Sequence, residues 1–500
     1  MTEVRARVEA GDLAGRLSAG VAAFKGIPYA APPVGDLRWR PPSPAPPWPG
    51  VRPAVEFGPA PLQSQPSRSS IMWHTNFADR HALVMSEDCL YLNVWTPEPS
   101  PGAGLPVMVF LQGGGNRFGH GGQELHDGAA LARRGLVTVT LNMRVDALGF
   151  LAHPALAAED ELGASGNYGL LDVVAALEWV QREITAFGGD PAKVTFAGNS
   201  AGAAVVTHLM AAAAGRGLFR AALGQSASGI HRAEGALPTQ EEAQRHGVRA
   251  LGPLGSASAD HLRRLAPVTF LLDAHLGVVV DGRLLVRDTE DVFAEGAQAP
   301  VPLLVGTTTD EGANFTSAAA ADRLRALVTT GPHGDRLAPL YPIDDDRIRA
   351  SARAFVGETR FVYPVWRWAR THVTTTRAAT WLYRFDHEPP LPAGLDLAPP
   401  PYGGPGYGAY HTSELPYTGD NLAARNWDWR DADRELARVM GDAWARFVVD
   451  GDPNGPGLPD WPRFEAGADA RTMVFGDEVR VEGVHRAEAM AVLDTLRRPL

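Results

Sequence analysis

The chain has 500 residues, 45% of them hydrophobic, and a formal net charge of −11 from 57 Asp and Glu against 46 Lys and Arg. Such a chain is globular and long enough to bury a large core. The acidic balance argues against nucleic acid and anionic membrane surfaces as partners.

The first residues, Met1 to Glu9, carry acidic groups and no apolar run, so no signal peptide is expected. No window reaches the roughly 18 apolar residues of a membrane span. Cys89 is the only cysteine, which rules out an intrachain disulfide. A soluble, cytoplasmic protein is the expectation.

Residues 21–42 are dense in Pro and Gly and predict a turn-rich surface arm. Leu90, Leu92 and Val94 then alternate as a strand does. Pro106 to Leu111 is wholly apolar, as in a buried parallel strand, and runs into Gln112-Gly113-Gly114-Gly115-Asn116. Consecutive glycines there turn backbone N–H groups toward whatever sits at the sheet's carboxyl edge. Neither G-x-G-x-x-G nor G-x-x-x-x-G-K-[ST] is met, so a nucleotide site is not predicted.

A second strand covers Leu136 to Asn142. Leu170, Val174, Leu177, Val180 and Ile184 recur at helical spacing until Phe187-Gly-Gly-Asp-Pro191 stops the helix. Next comes Gly198-Asn199-Ser200-Ala201-Gly202, between the β-type run Val194 to Phe196 and an alanine-rich helix. G-x-S-x-G in strand–turn–helix context is the form of a nucleophile elbow. A capping serine in a glycine turn is the bland alternative.

Further strands are predicted at 221–226, 301–306 and 379–385. Alternating strands and helices imply an α/β fold with a mostly parallel sheet covered on both faces. Residues 235–295 and 320–375 read as helical cap segments of one domain spanning 1–500. Residues 391–408, the most irregular stretch, read as a lid. Pocket walls are expected from 60–85, 225–290 and 391–410.

A serine hydroxyl needs a base, and the base needs an orienting group. Asp310 and Glu311 follow the 301–306 strand, and His411 follows the lid, giving the order Ser, acid, His. Residue chemistry alone does not choose between Asp310 and Glu311. His74, His81, His120, His126, His153, His231 and His246 are read as structural or surface residues. No metal-ligand spacing is present, and no metal or organic cofactor is expected.

These motifs, with Phe24 to Ala30, Ser86 to Asn93, Gly166 to Asp172, Phe187 to Pro191, Asp310 to Gly312 and Asp452 to Asn454, lie in one family's order. Over nearly its full length the chain resembles the type-B carboxylesterase/lipase family, which includes cholinesterases and bacterial para-nitrobenzyl esterases. The resemblance implies an α/β-hydrolase fold and a serine carboxylesterase that acts on a small-molecule ester through an acyl-enzyme. It casts Ser200 as nucleophile, Glu311 as acid and His411 as base, with Gly114, Gly115 and Ala201 supplying the oxyanion hole. It also implies structural ion pairs Arg38–Glu87 and Arg144–Asp172.

Three departures matter. Asn199 stands where the family usually has Glu, which argues against a choline-like cation. Gln112 and Asn116 replace the usual residues flanking the glycine triplet. Those two predict a more polar floor, and with Asn199 they are the substrate-pocket candidates. Cys89 matches half of a family disulfide whose partner is missing from Gly58 to Gln63, so a buried free thiol is expected. The alternative readings are an acyltransferase, lactonase or amidase using the same triad, and a non-catalytic cholinesterase-like binding protein.

Overall fold

A computed structural model describes residues 2–230, 235–272, 274–402, 406–467 and 469–496. Among these residues thirteen strands join in one sheet. Its order is Thr2–Val8, Gly11–Ser18, Val21–Pro28, Tyr91–Thr96, Val137–Leu141, Leu105–Leu111, Gly189–Asn199, Ala221–Gln225, Leu303–Thr308, Thr380–Phe385, Arg471–Phe475 and Val479–Gly483, with Val51–Pro53 pairing beside Gly11–Ser18. From Val137–Leu141 to Arg471–Phe475 every pairing is parallel, and the outer pairs are antiparallel apart from the parallel pair of Gly11–Ser18 with Val51–Pro53.

Leu105–Leu111 shows why the central strands are apolar throughout. Val107, Val109 and Leu111 face one core cluster, while Met108 and Phe110 face another. Alternate residues point to opposite faces, so a strand buried on both sides needs both sets apolar. Tyr168–Glu183 covers the first face with Leu170, Val173, Leu177 and Val180. Asp431–Asp450 covers the second with Met440, Trp444 and Phe447.

The 21–42 stretch departs from the expected surface arm. Val21–Pro28 is a strand of the main sheet, with Ala22, Phe24 and Ile27 fully buried, and Tyr29, Ala30 and Trp39 are buried beyond it. Its glycine and proline sit where a strand tolerates them. Gly26, at φ +66°, lies in the register shift between Phe24 and Ile27, and Pro28 is the last residue.

In 235–295 the helices are short: Gln240–Ala250, Ala259–Arg264 and Thr289–Ala294. In 320–375 the longest is Tyr363–Thr376, of 14 residues, which packs on strands Leu303–Thr308 and Thr380–Phe385. The 391–408 segment is irregular and ties to 60–85 by Ala398 N–H to Ser69 O at 2.7 Å and His74 Nε2 to Asp396 O at 2.8 Å. Gly403, Gly404 and Pro405 of that stretch, and His231, lie outside the described residues.

Both expected ion pairs form. Arg144 grips Asp172 through two guanidinium contacts of 2.6 and 2.8 Å and its own N–H at 2.9 Å, all buried. Arg38 Nη2 meets Glu87 Oε2 at 2.9 Å, with a second contact through Nε. Cys89 is a buried free cysteine, and burial pushes its thiol pKa well up. No helix among the described residues is long and apolar enough to cross a membrane.

Candidate active site

The strand Gly189–Asn199 ends where the helix Ala201–Ala211 begins, and Ser200 takes the whole turn at φ 52°, ψ −126°. That backbone is strained for a residue with a side chain and holds only when its surroundings fix it. Here Ser200 N–H donates to Gln225 O at 2.7 Å. A Cβ at Gly198 would lie 2.5 Å from the Gly202 carbonyl, and one at Gly202 would lie 2.2 Å from Leu111 O. The two glycines are what permit the turn.

His411 reaches this serine from the loop after 391–408. Its Nε2 lies 2.9 Å from Ser200 Oγ, and its Nδ1 lies 2.5 Å from Glu311 Oε2. Glu311 opens the short turn after strand Leu303–Thr308, and its Oε1 accepts from Thr308 N–H at 2.9 Å. Glu311 and His411 are each 1% exposed.

Asp310 points elsewhere. It binds Arg353 Nη2 at 2.8 Å, accepts from Ala409 N–H at 3.1 Å, and donates its own N–H to Ala409 O at 2.8 Å. It thereby clamps the acid loop to the histidine loop. Of the two adjacent carboxylates, Glu311 contacts the His411 ring and Asp310 contacts Arg353.

The glycine loop lies against the serine: a Cβ on Gly113 would be 2.7 Å from Ser200 Cβ. Gly114 at φ +121° and Gly115 at φ +62° hold the turn open. Among the described residues the N–H groups of Gly114, Gly115 and Ala201 donate to no protein acceptor. Ala201, first in its helix, has no intrahelical acceptor to use.

The cleft at Ser200 holds about 20 Å³, room for a single water. Asn199 lines it, together with Met72, Asn76, Phe77, Gln123, His126 and Thr412. Gln112 and Asn116 do not line it. Gln112 is 3% exposed, and Asn116, at φ +60°, shapes the loop while its carbonyl accepts from Asp146 N–H at 2.7 Å. A larger cavity, about 640 Å³, lies beyond the Asp310 clamp and includes neither Ser200 nor His411.

Three contributions escaped the sequence reading. His126, read there as structural, faces the cleft and stays neutral because burial lowers its pKa to about 3. Glu414 is fully buried behind Ser200 and accepts from Asn199 Nδ2 at 3.4 Å and Ser226 Oγ at 3.3 Å. Burial, then the charge of Glu311, push its carboxyl up to about 8. Phe315 and Phe361 pack on the His411 ring at 5.2 and 4.4 Å between centres. The only available signal was the placement of Glu414 three residues after the histidine. Among the described residues no group of three or more His, Cys, Asp or Glu is placed to hold a metal.

The sequence profile of the Carboxylesterase family matches residues 2–329 and 341–492. A fumonisin B1 esterase from Sphingopyxis macrogoltabida is 36% identical over 482 residues, covering 92% of this chain and 84% of that protein. The para-nitrobenzyl esterase of Bacillus subtilis is 32% identical over 510 residues, covering 98% of each. A solved PNB esterase structure superposes with a TM-score of 0.81 at 31% identity, covering 98% of this chain and all of that one. Sheet, elbow and full-length likeness agree: the chain belongs to the carboxylesterase family, has its α/β-hydrolase fold and is a carboxylic-ester hydrolase.

Proposed function

We propose that hydrolysis runs through an acyl-enzyme on Ser200, with His411 as the base and Glu311 as its orienting acid. The observation that carries this is the unbroken chain from Ser200 Oγ through His411 to Glu311 Oε2, at 2.9 and 2.5 Å. His411 Nε2 takes the Ser200 proton as Oγ bonds to the ester carbonyl carbon. Glu311 holds Nδ1 protonated and stabilises the imidazolium. The carbonyl oxygen becomes an oxyanion facing the N–H groups of Gly114, Gly115 and Ala201, each worth about 3 kcal/mol in comparable sites. The C–O bond then breaks, and the alcohol leaves with the proton from His411. Water enters, and His411 takes one of its protons as the water oxygen bonds to the acyl carbon. The acyl–Oγ bond then breaks as His411 returns the proton to Ser200 and the acid is released.

The cleft wall is uncharged and mixed, with Asn76, Gln123, neutral His126, Asn199 and Thr412 set among Met72, Phe77 and Phe118. That supports esters bearing hydrogen-bonding groups over choline-like cations. The likeness to esterases named for para-nitrobenzyl esters and fumonisin B1 makes those two the first substrates to assay. We also propose that the whole chain works as one domain, in the cytoplasm, where the unpaired Cys89 stays reduced.

The test is stoichiometric labelling by an organophosphonate, mapped to Ser200, with loss of para-nitrophenyl acetate hydrolysis in Ser200→Ala. A Ser200→Ala variant as fast as the parent would overturn the nucleophile. Acyl transfer to added alcohol outrunning hydrolysis would displace the hydrolytic outcome in favour of a transferase.

A further inference from the structure

Helices Ile348–Gly357 and Tyr363–Thr376 join through one π turn, Glu358–Val362. π turns are rare and occur disproportionately at functional sites, where they re-aim side chains. This one sets Phe361 against the His411 ring and leaves its neighbour Arg360 exposed. The Arg360 guanidinium sits 4.7 Å above Phe315 and 5.5 Å from Phe361. Phe315 is in turn 5.2 Å from the imidazole. Those two steps put the cation within about 10 Å of His411, the span of a short extended acyl chain.

Among the described residues Arg360 has no ion pair or hydrogen bond; two aromatic faces are its company. The carboxylates packed nearby are engaged elsewhere. Glu358 is taken by Arg486 and Tyr341, Glu311 by His411, and Asp310 by Arg353. An exposed arginine often lays its stem over apolar surface without further consequence. What distinguishes Arg360 is that the rings beneath it are the wall of the histidine.

We propose that Arg360 is a specificity residue that anchors a free carboxylate of the substrate, so that the preferred substrates are esters whose acyl part carries a second, ionised carboxyl group. This rests on the Ser200–His411–Glu311 reading. Guanidinium–carboxylate recognition is strong and directional because two parallel N–H groups can meet two oxygens. Beside Ser200, Asn199 is neutral where a carboxylate would repel an anion, burial pushes the Glu414 carboxyl up to about 8, and the Glu311 carboxylate sits on the Nδ1 side of His411, away from the serine.

The experiment compares mono-4-nitrophenyl adipate with 4-nitrophenyl hexanoate, matched in acyl length and differing in one terminal carboxylate. The ratio of their kcat/KM values is read on one preparation, so the fraction folded cancels. The parent is expected to favour the adipate. Arg360→Met, which keeps the stem over Phe315, should lower the ratio about tenfold, and Arg360→Lys should keep most of it. Added salt should narrow the ratio in the parent more than in Arg360→Met. A parent with no preference for the adipate, or an unchanged ratio in Arg360→Met, overturns the anchor. Ser200→Ala retaining hexanoate hydrolysis would instead overturn the nucleophile on which the anchor depends.

Discussion

Asn199 Nδ2 donates to Glu414 Oε1 at 3.4 Å in a fully buried position behind the nucleophile. Burial, then the negative charge of Glu311, push the Glu414 carboxyl from its ordinary 4.5 up to about 8. A folded pKa above the unfolded one means the folded state binds more protons between those values, so stability falls as pH rises through that window.

Glu414→Gln should therefore flatten the fall. Urea unfolding at pH 5 and pH 8 should show the parent losing on the order of a few kcal/mol across that interval and the variant losing less. Equal slopes in the two proteins would mean the carboxyl is ionised in the fold.

Glu311 and Asp310 are adjacent carboxylates with separate partners, His411 and Arg353. Glu311→Gln should cut kcat about 10²- to 10⁴-fold with little change in KM, since it removes orientation and imidazolium stabilisation. Asp310→Asn should cost about 1 kcal/mol of stability and less than tenfold in kcat, because its partly exposed pair with Arg353 is a clamp. Steady-state kinetics with urea titrations on both variants separate the roles, and interchanged effects would reverse the assignment.

Arg144 and Asp172 are both buried, with 3% and 0% side-chain exposure. Asp172→Asn should destabilise by about 3–5 kcal/mol by stranding a charged guanidinium, whereas the double variant Arg144→Met/Asp172→Leu should recover part of that loss. Denaturant midpoints of the two variants check the order. A single variant no worse than the double would show that the charge finds water.

Cys89 is 1% exposed, with its thiol pKa raised by burial and then by the negative charge of Asp172. Ellman's reagent should find about no reactive thiol in the native protein and one after denaturation. Prompt native labelling would place the thiol at the surface.

The amino-acid order alone determined the central strands between Leu90 and Phe385 and the elbow at Ser200, because these rest on local periodicity or a motif of fixed spacing. The ion pairs and the casting of His411 came from the family resemblance. The amino-acid order left the outer strands Thr2–Val8, Gly11–Ser18, Arg471–Phe475 and Val479–Gly483 unread. It misjudged 21–28, where glycine and proline density concealed a strand whose bulge falls on Gly26. Residue chemistry did not separate Glu311 from Asp310, and the resemblance picked Glu311. The tertiary structure adds that Glu311 meets His411 while Asp310 meets Arg353, since direction depends on which loop packs opposite. Only it brought His126, Glu414, Phe361 and Arg360 around the site. These residues come from separate segments with no shared spacing, and they meet because the parallel strands end on one edge while helices and loops from both halves of the chain close over it.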